Sequence, residues 1–422
     1  MNYFQESCRK SKSFMCKTHL VFFSITLSLV FGTNLINAQE NHEPKKPVFY
    51  FNNGIGIIAP DSIFSLNFRF RIQTRAGYTT VSETDFSATA IEARVRRLRM
   101  RFEGFIINPK FNYYIQLSFS RGDMDWNVRD NSSVNTSPNI VRDAVVIYKP
   151  NQNLSFLFGQ TKLPGNRQRV VSSGELQFAD RSISNAAFNI DRDFGFQAIY
   201  QNNISNFIYV IKAAVSSGEG RNSVISGAGL AYTGRLEILP FGKFTNKGDY
   251  FEGDIEREQT PKLSLAAGYH YNENAMRTAG TLGSDLYNSR DLHSFIADIL
   301  LKYRGLALAA EYLNRNTISP VTQNAQLQER TVYVGQGGML QLSYNFKSNF
   351  EIAGRYSIVT PYKSIEDKEP QKEEMGLGVT KYLRRHRVKL QAHIFYQREK
   401  ELDTMQFAGK NWAGMFQIEL GL

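Results

Sequence analysis

Hydrophobic and polar residues alternate with a period of two through most of the chain. In SLNFRFRIQ, Leu66, Phe68, Phe70 and Ile72 share one face, while Asn67, Arg69, Arg71 and Gln73 share the other. FNYYIQLSFS sets Tyr113, Ile115, Leu117 and Phe119 against Asn112, Tyr114, Gln116 and Ser118. FEIAGRYSI sets Ile352, Gly354, Tyr356 and Ile358 against Glu351, Ala353, Arg355 and Ser357. RVKLQAHIFYQ sets Val388, Leu390, Ala392, Ile394 and Tyr396 against Lys389, Gln391 and His393. Successive side chains of a strand point to opposite faces, so each segment predicts a strand with one apolar and one polar side. Sixteen such segments occur, at 63–75, 90–106, 111–121, 140–149, 153–162, 191–201, 206–217, 226–239, 261–272, 290–303, 306–315, 333–346, 349–359, 374–382, 387–397 and 411–422. Each is roughly the length of a tilted strand that crosses a bilayer, about 9–11 residues.

The connections alternate too. Short turns at 107–110, 150–152, 202–205, 304–305, 347–348 and 384–386 are interleaved with longer polar loops at 76–89, 122–139, 163–190, 218–225, 273–289, 316–332, 360–373 and 398–410. An up-and-down barrel in the outer membrane has this rhythm, with tight periplasmic turns and longer external loops. Residues 240–260 fall where a short turn is due and read as an extended periplasmic turn. The expected fold is therefore all-β: a closed antiparallel transmembrane β-barrel of 16 strands. Lipid demands the closure, because an edge strand would leave backbone groups unpaired in hydrocarbon. A soluble β protein, such as tandem sandwiches, would alternate as well. Against it stand an even strand count without a domain break and apolar faces rich in Tyr and Phe. The longest external loop, 163–190, carries Arg167, Arg169 and Arg181 together with Glu175 and Asp180, and Asp191 and Arg192 follow it. Long loops are often functional. Folded into the barrel, this one would narrow the lumen, which makes the three loop arginines candidates for a constriction.

Composition narrows the class. Hydrophobic residues make up 42% of the 422 and the mean hydropathy is −0.35. Several apolar runs of about 20 residues, which a helical membrane protein needs, do not occur. The one run that comes near, HLVFFSITLSLVFGTNLINA, follows Arg9, Lys10, Lys12 and Lys17 and ends at the small residue Ala38. It reads as a secretory signal peptide over 1–38, followed by a short periplasmic leader over 39–62 and the barrel over 63–422. A retained membrane anchor is the alternative, and polar Thr33, Asn34 and Asn37 weigh against it by ending the run early. A start at Met15 would still leave a whole signal. Both cysteines, Cys8 and Cys16, fall within this segment. Disulfides and thiol chemistry are thus excluded from the mature chain, and the missing cysteine after the apolar run argues against a lipoprotein.

Charge singles out RVRRLRMRFEG, where five arginines occur within the eight residues 94–101 of a chain with net charge +11. Parity sends Leu98, Met100 and Phe102 to lipid and Arg97, Arg99, Arg101 and Glu103 to the lumen. A lipid-facing arginine near the midplane would cost about 2–4 kcal/mol. Arg94 and Arg96 have the opposite parity and are expected at the outer rim or beside a bulge. Arg69 and Arg71 on the preceding strand would extend the basic strip, and Arg235, Arg355 and Lys389 face inward elsewhere, as do Lys302 and Arg315. Rings of Arg or Lys favour anions in pores. Glu103, Asp143, Glu237, Asp298, Glu311, Glu351 and Glu419 share the inward parity, however. A salt-bridged wall that merely keeps the lumen wet stands beside the ion-guiding reading.

Other chemistry finds little support. In SRDLHSF, Asp291 and His293 share a face, so the pair could activate water, but Ser294 lies on the opposite one. DMDWN (123–127) begins like a calcium loop and lacks the glycine and glutamate that would complete it. The six His do not cluster, no phosphate-cradling glycine loop is present, and no cofactor is implied. An arginine strip alternating with lipid-suited residues is not a solvated basic face, so nucleic acid is not an expected partner. A barrel hydrolase and a loop-based adhesin remain as alternatives.

Several stretches together resemble the phosphate-selective porin O and P family: RVRRLRMRFEG with FNYYIQLSFS, VRDAVVIYKP with LSFLFGQTKLP, LQFADRS, DRDFGFQAIY, GRLEILPFGKF with GDYFEGD, and GVTKYLRRHRVKLQ. The likeness covers most of 63–422. It implies a trimeric sixteen-stranded porin in the outer membrane of a Gram-negative bacterium, with a constricting third external loop and a basic lumen. Arg97, Arg99 and Arg101 match the family's arginine-lined strand. Lys162 matches as well, although parity aims it at lipid, and Gly159 is a candidate bulge that would turn it inward. The chain ends in Leu422 rather than the aromatic that closes many outer-membrane barrels. The function expected is passive diffusion of small hydrophilic solutes with a preference for anions such as phosphate. Outer-membrane lipid would surround the barrel and a homotrimer would be the assembly.

Overall fold

The computed structural model describes residues 46–51, 53–120, 140–223 and 229–422. The expected signal peptide and the DMDWN stretch lie outside the described residues. A short hairpin, β1 (Val48–Tyr50) and β2 (Ile55–Ile58), precedes the wall. The first half of the wall comprises β3 (Ser65–Thr80), β4 (Ala88–Ile106), β5 (Asn108–Ser118), β6 (Val141–Tyr148), β7 (Leu154–Lys162), β8 (Arg192–Ile204), β9 (Phe207–Ser216) and β10 (Ala231–Leu239). The second half begins with β11 (Lys262–Arg277), β12 (Asp285–Tyr303) and β13 (Leu306–Asn316). A small outer-loop hairpin follows, β14 (Val321–Gln323) with β15 (Glu329–Thr331). The wall then continues with β16 (Gly335–Asn345), β17 (Phe350–Pro361), β18 (Gln371–Arg384), β19 (Val388–Lys400) and β20 (Phe407–Gly421). Each wall strand pairs antiparallel with the next, and β20 pairs with β3 from Ala413↔Thr79 to Gly421↔Arg71. The result is a closed sixteen-stranded antiparallel barrel.

All sixteen expected strands are present. Several run further at their outer ends: β12 begins at Asp285 and β11 continues to Arg277. Above the hydrocarbon both faces of a strand meet water, so pairing persists where the alternation fades. Within the belt the alternation holds. Ile352 and Tyr356 are 47% and 38% exposed on the outer face, against 1% and 5% for Glu351 and Arg355 on the inner one. The stretch expected as a leader is partly strand. β2 pairs with β3 from Ile55↔Phe68 to Ile58↔Ser65 and takes up the lower edge of β3 where β20 has ended.

Two connections enter the lumen. The external loop between β7 and β8 contains two short helices, α1 (Arg167–Val170) and α2 (Ile183–Phe188). The Ser182 hydroxyl caps α2 by accepting from the Asn185 N–H at 3.1 Å, as a serine at that position favours. Leu163, Phe188 and Ile190 of this loop bury themselves on Ala214, Ile296, Leu313 and Val359 of the inner wall. Phe178 packs on Ala353 and Phe395. The long periplasmic turn between β10 and β11 folds up from the other side and seats Phe244 on Ile208, Val210, Leu239 and Leu300. Burying such side chains is worth roughly 1.5–3 kcal/mol each, which offsets part of the entropy of fixing two long connections.

Candidate functional site

The loop crosses the lumen and is fastened on both sides. At its far side, Arg355 donates to the Asp180 carbonyl at 2.9 Å, and Ser184 N–H donates to the Ser357 hydroxyl at 3.2 Å. Lys389 donates to the carbonyls of Gly174 and Leu176 at 3.0 and 2.7 Å. At its near side, the Asp180 carboxylate lies 2.6 Å from Arg75, 3.6 Å from Arg97 and 3.7 Å from Arg96. Burial alone would raise that carboxyl, but the hydrogen bond from Arg75 and the charges of Arg97, Arg75 and Arg96 hold it well below the usual carboxylate range. Arg96 reaches it through a β-bulge: Gln73 pairs with Arg97 and Thr74 with Val95, which leaves Arg96 as the extra residue. Arg94, beyond the bulge, is half-exposed and bonded to Glu92.

The periplasmic turn meets the loop in mid-lumen. The Glu252 N–H donates to the Glu175 carbonyl at 2.9 Å. The Glu252 carboxylate accepts from the Gln177 N–H at 2.9 Å and from the Gln168 side-chain amide at 3.2 Å. It also accepts from Gln341 of the wall at 3.1 Å. Lys302, fully buried, donates to the carbonyls of Gly248 and Phe251 at 2.7 and 2.8 Å. Together the two insertions fill the lumen beside β10–β19.

Among the described residues, two adjoining cavities lie along β3–β8. The main chamber has a volume of about 470 Å³. A smaller one of about 80 Å³ lies toward the mouth at Arg387 and Leu422 and shares Arg99, Arg101, Gln116, Ser172 and Glu175 with the first. The main chamber is lined by ten cations and three carboxylates. Arg96, Arg97, Arg99 and Arg101 come from β4; Arg142, Lys162 and Arg192 come from β6, β7 and the start of β8; Arg169, Arg181 and Arg221 come from external loops. The carboxylates are Asp143, Glu175 and Asp191, and two of them are already engaged: Asp143 by Arg192 at 2.9 Å and Asp191 by Arg169 at 2.7 Å. Burial, then the charges of Arg169 and Arg97, push the Arg181 guanidinium well below its ordinary pKa. Such crowding of like charge favours a negative visitor.

The expected residues divide between the two chambers and the filled half. Arg97, Arg99, Arg101, Arg169 and Arg181 line the main chamber, and Arg69 and Arg71 the smaller one. Arg71 and Arg99 both donate to the Ser173 hydroxyl, at 2.9 and 3.0 Å. Arg101 stacks over Tyr114 at 4.6 Å and pairs with Glu103. Arg235, Arg355, Lys389 and Arg167 differ from expectation. Arg235, Arg355 and Lys389 face inward, as parity requires, and Arg167 comes from the inserted loop itself, but all four lie at the contact of insertions and wall rather than on the lining of the two chambers. Arg235 and Arg167 clamp Asp298 from two sides at 2.7 Å each, and Arg355 pairs with Glu374 at 2.9 Å. Parity separates inside from outside and cannot tell which half of the inside is filled.

Lys162 does turn inward, donating to the carbonyls of Val170 and Val171 at 2.6 and 3.3 Å. The pairing across Gly159 is unbroken, so no bulge redirects it. Gly159 instead has φ of 128°, where a Cβ would come within 2.3 Å of the Ala144 carbonyl oxygen. Arg142 and Arg221 had no part in the sequence expectation. Arg142 has the parity of Ala144, Val146 and Tyr148, which follow it on β6, and Arg221 sits in a glycine-flanked loop with no alternation to read. On the outer face, His293 lies between Tyr269 and Tyr271, and Asp291 accepts from the Asn274 N–H. Ser294 is buried on the inner face, so these three residues do not converge.

A profile of the family described as phosphate-selective porin O and P matches residues 67–403. No curated protein matches the chain. Among solved structures, the chain is similar to the outer-membrane expressed OmpT of Vibrio cholerae, with 9% identity, a TM-score of 0.51 and coverage of 85% of this chain and 98% of that one. It is similar to an anion-selective porin from Comamonas acidovorans, with 11% identity, a TM-score of 0.50 and coverage of 85% and 100%. It is also similar to Salmonella typhi OmpF, solved in complex with daunomycin, with 13% identity, a TM-score of 0.51 and coverage of 85% and 98%. At these identities the likeness establishes the fold.

Proposed function

For a chain that belongs to the phosphate-selective porin O and P family, and so to the channels of the outer membrane, we propose passive diffusion of small anions, phosphate among them, through the chambers along β3–β8. The observation that carries this reading is the lining of the main chamber, ten cations against three carboxylates of which two are already paired. A low-dielectric wall focuses such a field and raises the local concentration of anions. Guanidinium groups match phosphate oxygens in geometry as well as in charge. Conduction also requires release, and several adjacent weak sites allow one anion to displace the next. The two chambers meet at Arg99 and Arg101 beside Glu175, and Arg69 and Arg71 continue the basic lining in the smaller one, where Glu419 lies 3.7 Å from Arg71. No covalent step or energy input is part of this mechanism. The family likeness supports a homotrimer, and the basic start and apolar run that end at Ala38 support export by a cleaved signal peptide over 1–38.

Reconstitution in a planar bilayer under a salt gradient tests the proposal. The reversal potential should show anion preference, and a cation preference would refute it. Replacing Arg97, Arg99 and Arg101 together with Gln should lower anion conductance by about ten-fold or more while the barrel still folds, since rings of Arg set anion preference in pores. Unchanged selectivity in the triple variant would reduce the strip to a structural role.

A further inference from the structure

The carboxylates of the lumen are not spread evenly. Glu237, Asp298, Glu311, Glu351 and Glu374 all stand on the wall that the two insertions cover, and none lines either chamber. Each is engaged there: Glu237 by Lys212 at 2.8 Å, Asp298 by Arg235 and Arg167, and Glu374 by Arg355. Glu311 accepts from the Gln168 N–H, and Glu351 from Gln177 at 2.6 Å. The covered half of the wall is thus mixed in charge, while the open half is strongly positive. The loop alone does not hold this partition. Its middle, Glu175 to Gln177, is fixed in the lumen by the periplasmic turn through the Glu252 carboxylate and N–H.

We propose that Glu252 is a selectivity-determining positioning residue: by clasping the external loop to the periplasmic turn, it keeps the acidic half of the lumen wall away from permeating ions. This rests on the anion-channel reading and names what sets its selectivity. Glu252 is 7% exposed and is not part of the main chamber's lining. Its carboxylate instead gathers donors from the loop and from the wall, so its loss leaves the Gln177 N–H, Gln168 and Gln341 without that acceptor in the lumen. An unclasped loop lets water and ions reach Glu351 and Glu311, whose negative field opposes that of the arginines.

The test compares the wild type with Glu252→Ala and Glu252→Gln in bilayers. Glu252→Ala should raise single-channel conductance by about two-fold or more and bring the anion-to-cation permeability ratio toward unity, because the exposed carboxylates then share the field of the pore. Glu252→Gln retains one acceptor oxygen and should fall between the two. Wider conductance with undiminished anion preference would overturn the charge-partition proposal, as would no change in either. A second readout does not depend on selectivity at all. The mature chain is free of cysteine, so Ser343→Cys, behind the loop, can be probed with a charged thiol reagent. It should be protected in the otherwise wild-type barrel and labelled at least about ten-fold faster alongside Glu252→Ala, as local opening exposes a buried site. Equal labelling would overturn the clasp. Heat-modifiable gel mobility verifies that each variant is a folded barrel. A wild-type channel without anion preference would refute the anion reading itself, while the labelling result would still decide the clasp.

Discussion

Asp180 is where the inserted loop touches the basic wall. Its carboxylate faces three guanidiniums of β3 and β4, and they overcome the effect of burial and hold it well below the usual carboxylate range. A carboxyl depressed in this way contributes its stabilisation at every pH above its unfolded value of about 3.9 and loses it only as the pH falls toward the folded one. The hold of Asp180 on the loop should therefore be constant from about pH 8 to about pH 5 and be lost only below about pH 4, read as a change in chloride conductance. A midpoint near pH 6 in a bilayer titration would show that another group holds the loop. The role of Asp180 could not be read from the chain, because loop residues have no parity and its partners lie about a hundred positions away. The inward direction of Arg97 and Arg99 could be read, because period two leaves only one side for them. Arg96, expected at the rim or beside a bulge, is the bulge residue itself, and the inserted position carries it into the lumen.

At the scale of elements, the strands and the short–long rhythm of connections were plain in the sequence, whereas the two insertions left only a subtler trace. The inner row of β12 reads Leu292, Ser294, Ile296, Asp298 and Leu300, and that of β13 includes Leu313 beside Glu311 and Arg315. Apolar residues in a row that should face water mean that something covers it, since a strand apolar on both faces must be buried on both. Ile296, Leu313 and Leu300 are the landing sites of the loop and of the periplasmic turn. Strand β7 carries a different device. Gly159 occupies a backbone region that a side chain enters only with strain of about 1–3 kcal/mol, and a Cβ there would also strike the neighbouring strand. Gly159→Ala should lower the midpoint of thermal unfolding, followed by gel mobility. Gly234→Ala, where a Cβ meets nothing within 4 Å, should leave it unchanged. Equal midpoints for the two would remove the strain argument at Gly159.

On the scale of the whole molecule, the sequence posed a contradiction that only the assembled barrel resolves. Seven inward acidic residues weakened any argument for anions, yet four of them, Glu237, Asp298, Glu311 and Glu351, lie on the wall that the two insertions cover and line neither chamber. Fold and sidedness follow from local pattern, but the sorting of charge depends on contacts between residues more than a hundred positions apart, such as Gln177 with Ser343 and Glu351. The proposed homotrimer belongs to this scale as well. Cross-linking of the protein in its native membrane, followed by gel analysis, should give a ladder that ends at three chains. A ladder that stops at one would set the assembly proposal aside and leave the channel of each chain as described.

The seam between β3 and β20 has a consequence for the order of events during assembly. Every other pair of neighbouring wall strands is joined by its own connection, so those pairs can form one after another as the chain emerges. The seam unites residues such as Thr79 and Ala413 from opposite ends of the barrel and must wait for the last strand. The loop's seats lie on β13, β16, β17, β19 and β3, so it too cannot dock until the ring is nearly whole. The wall is then built around a water-filled interior, and the loop and turn settle afterwards. Their charges pass from water to one another inside a finished shell and never face bare hydrocarbon on the way.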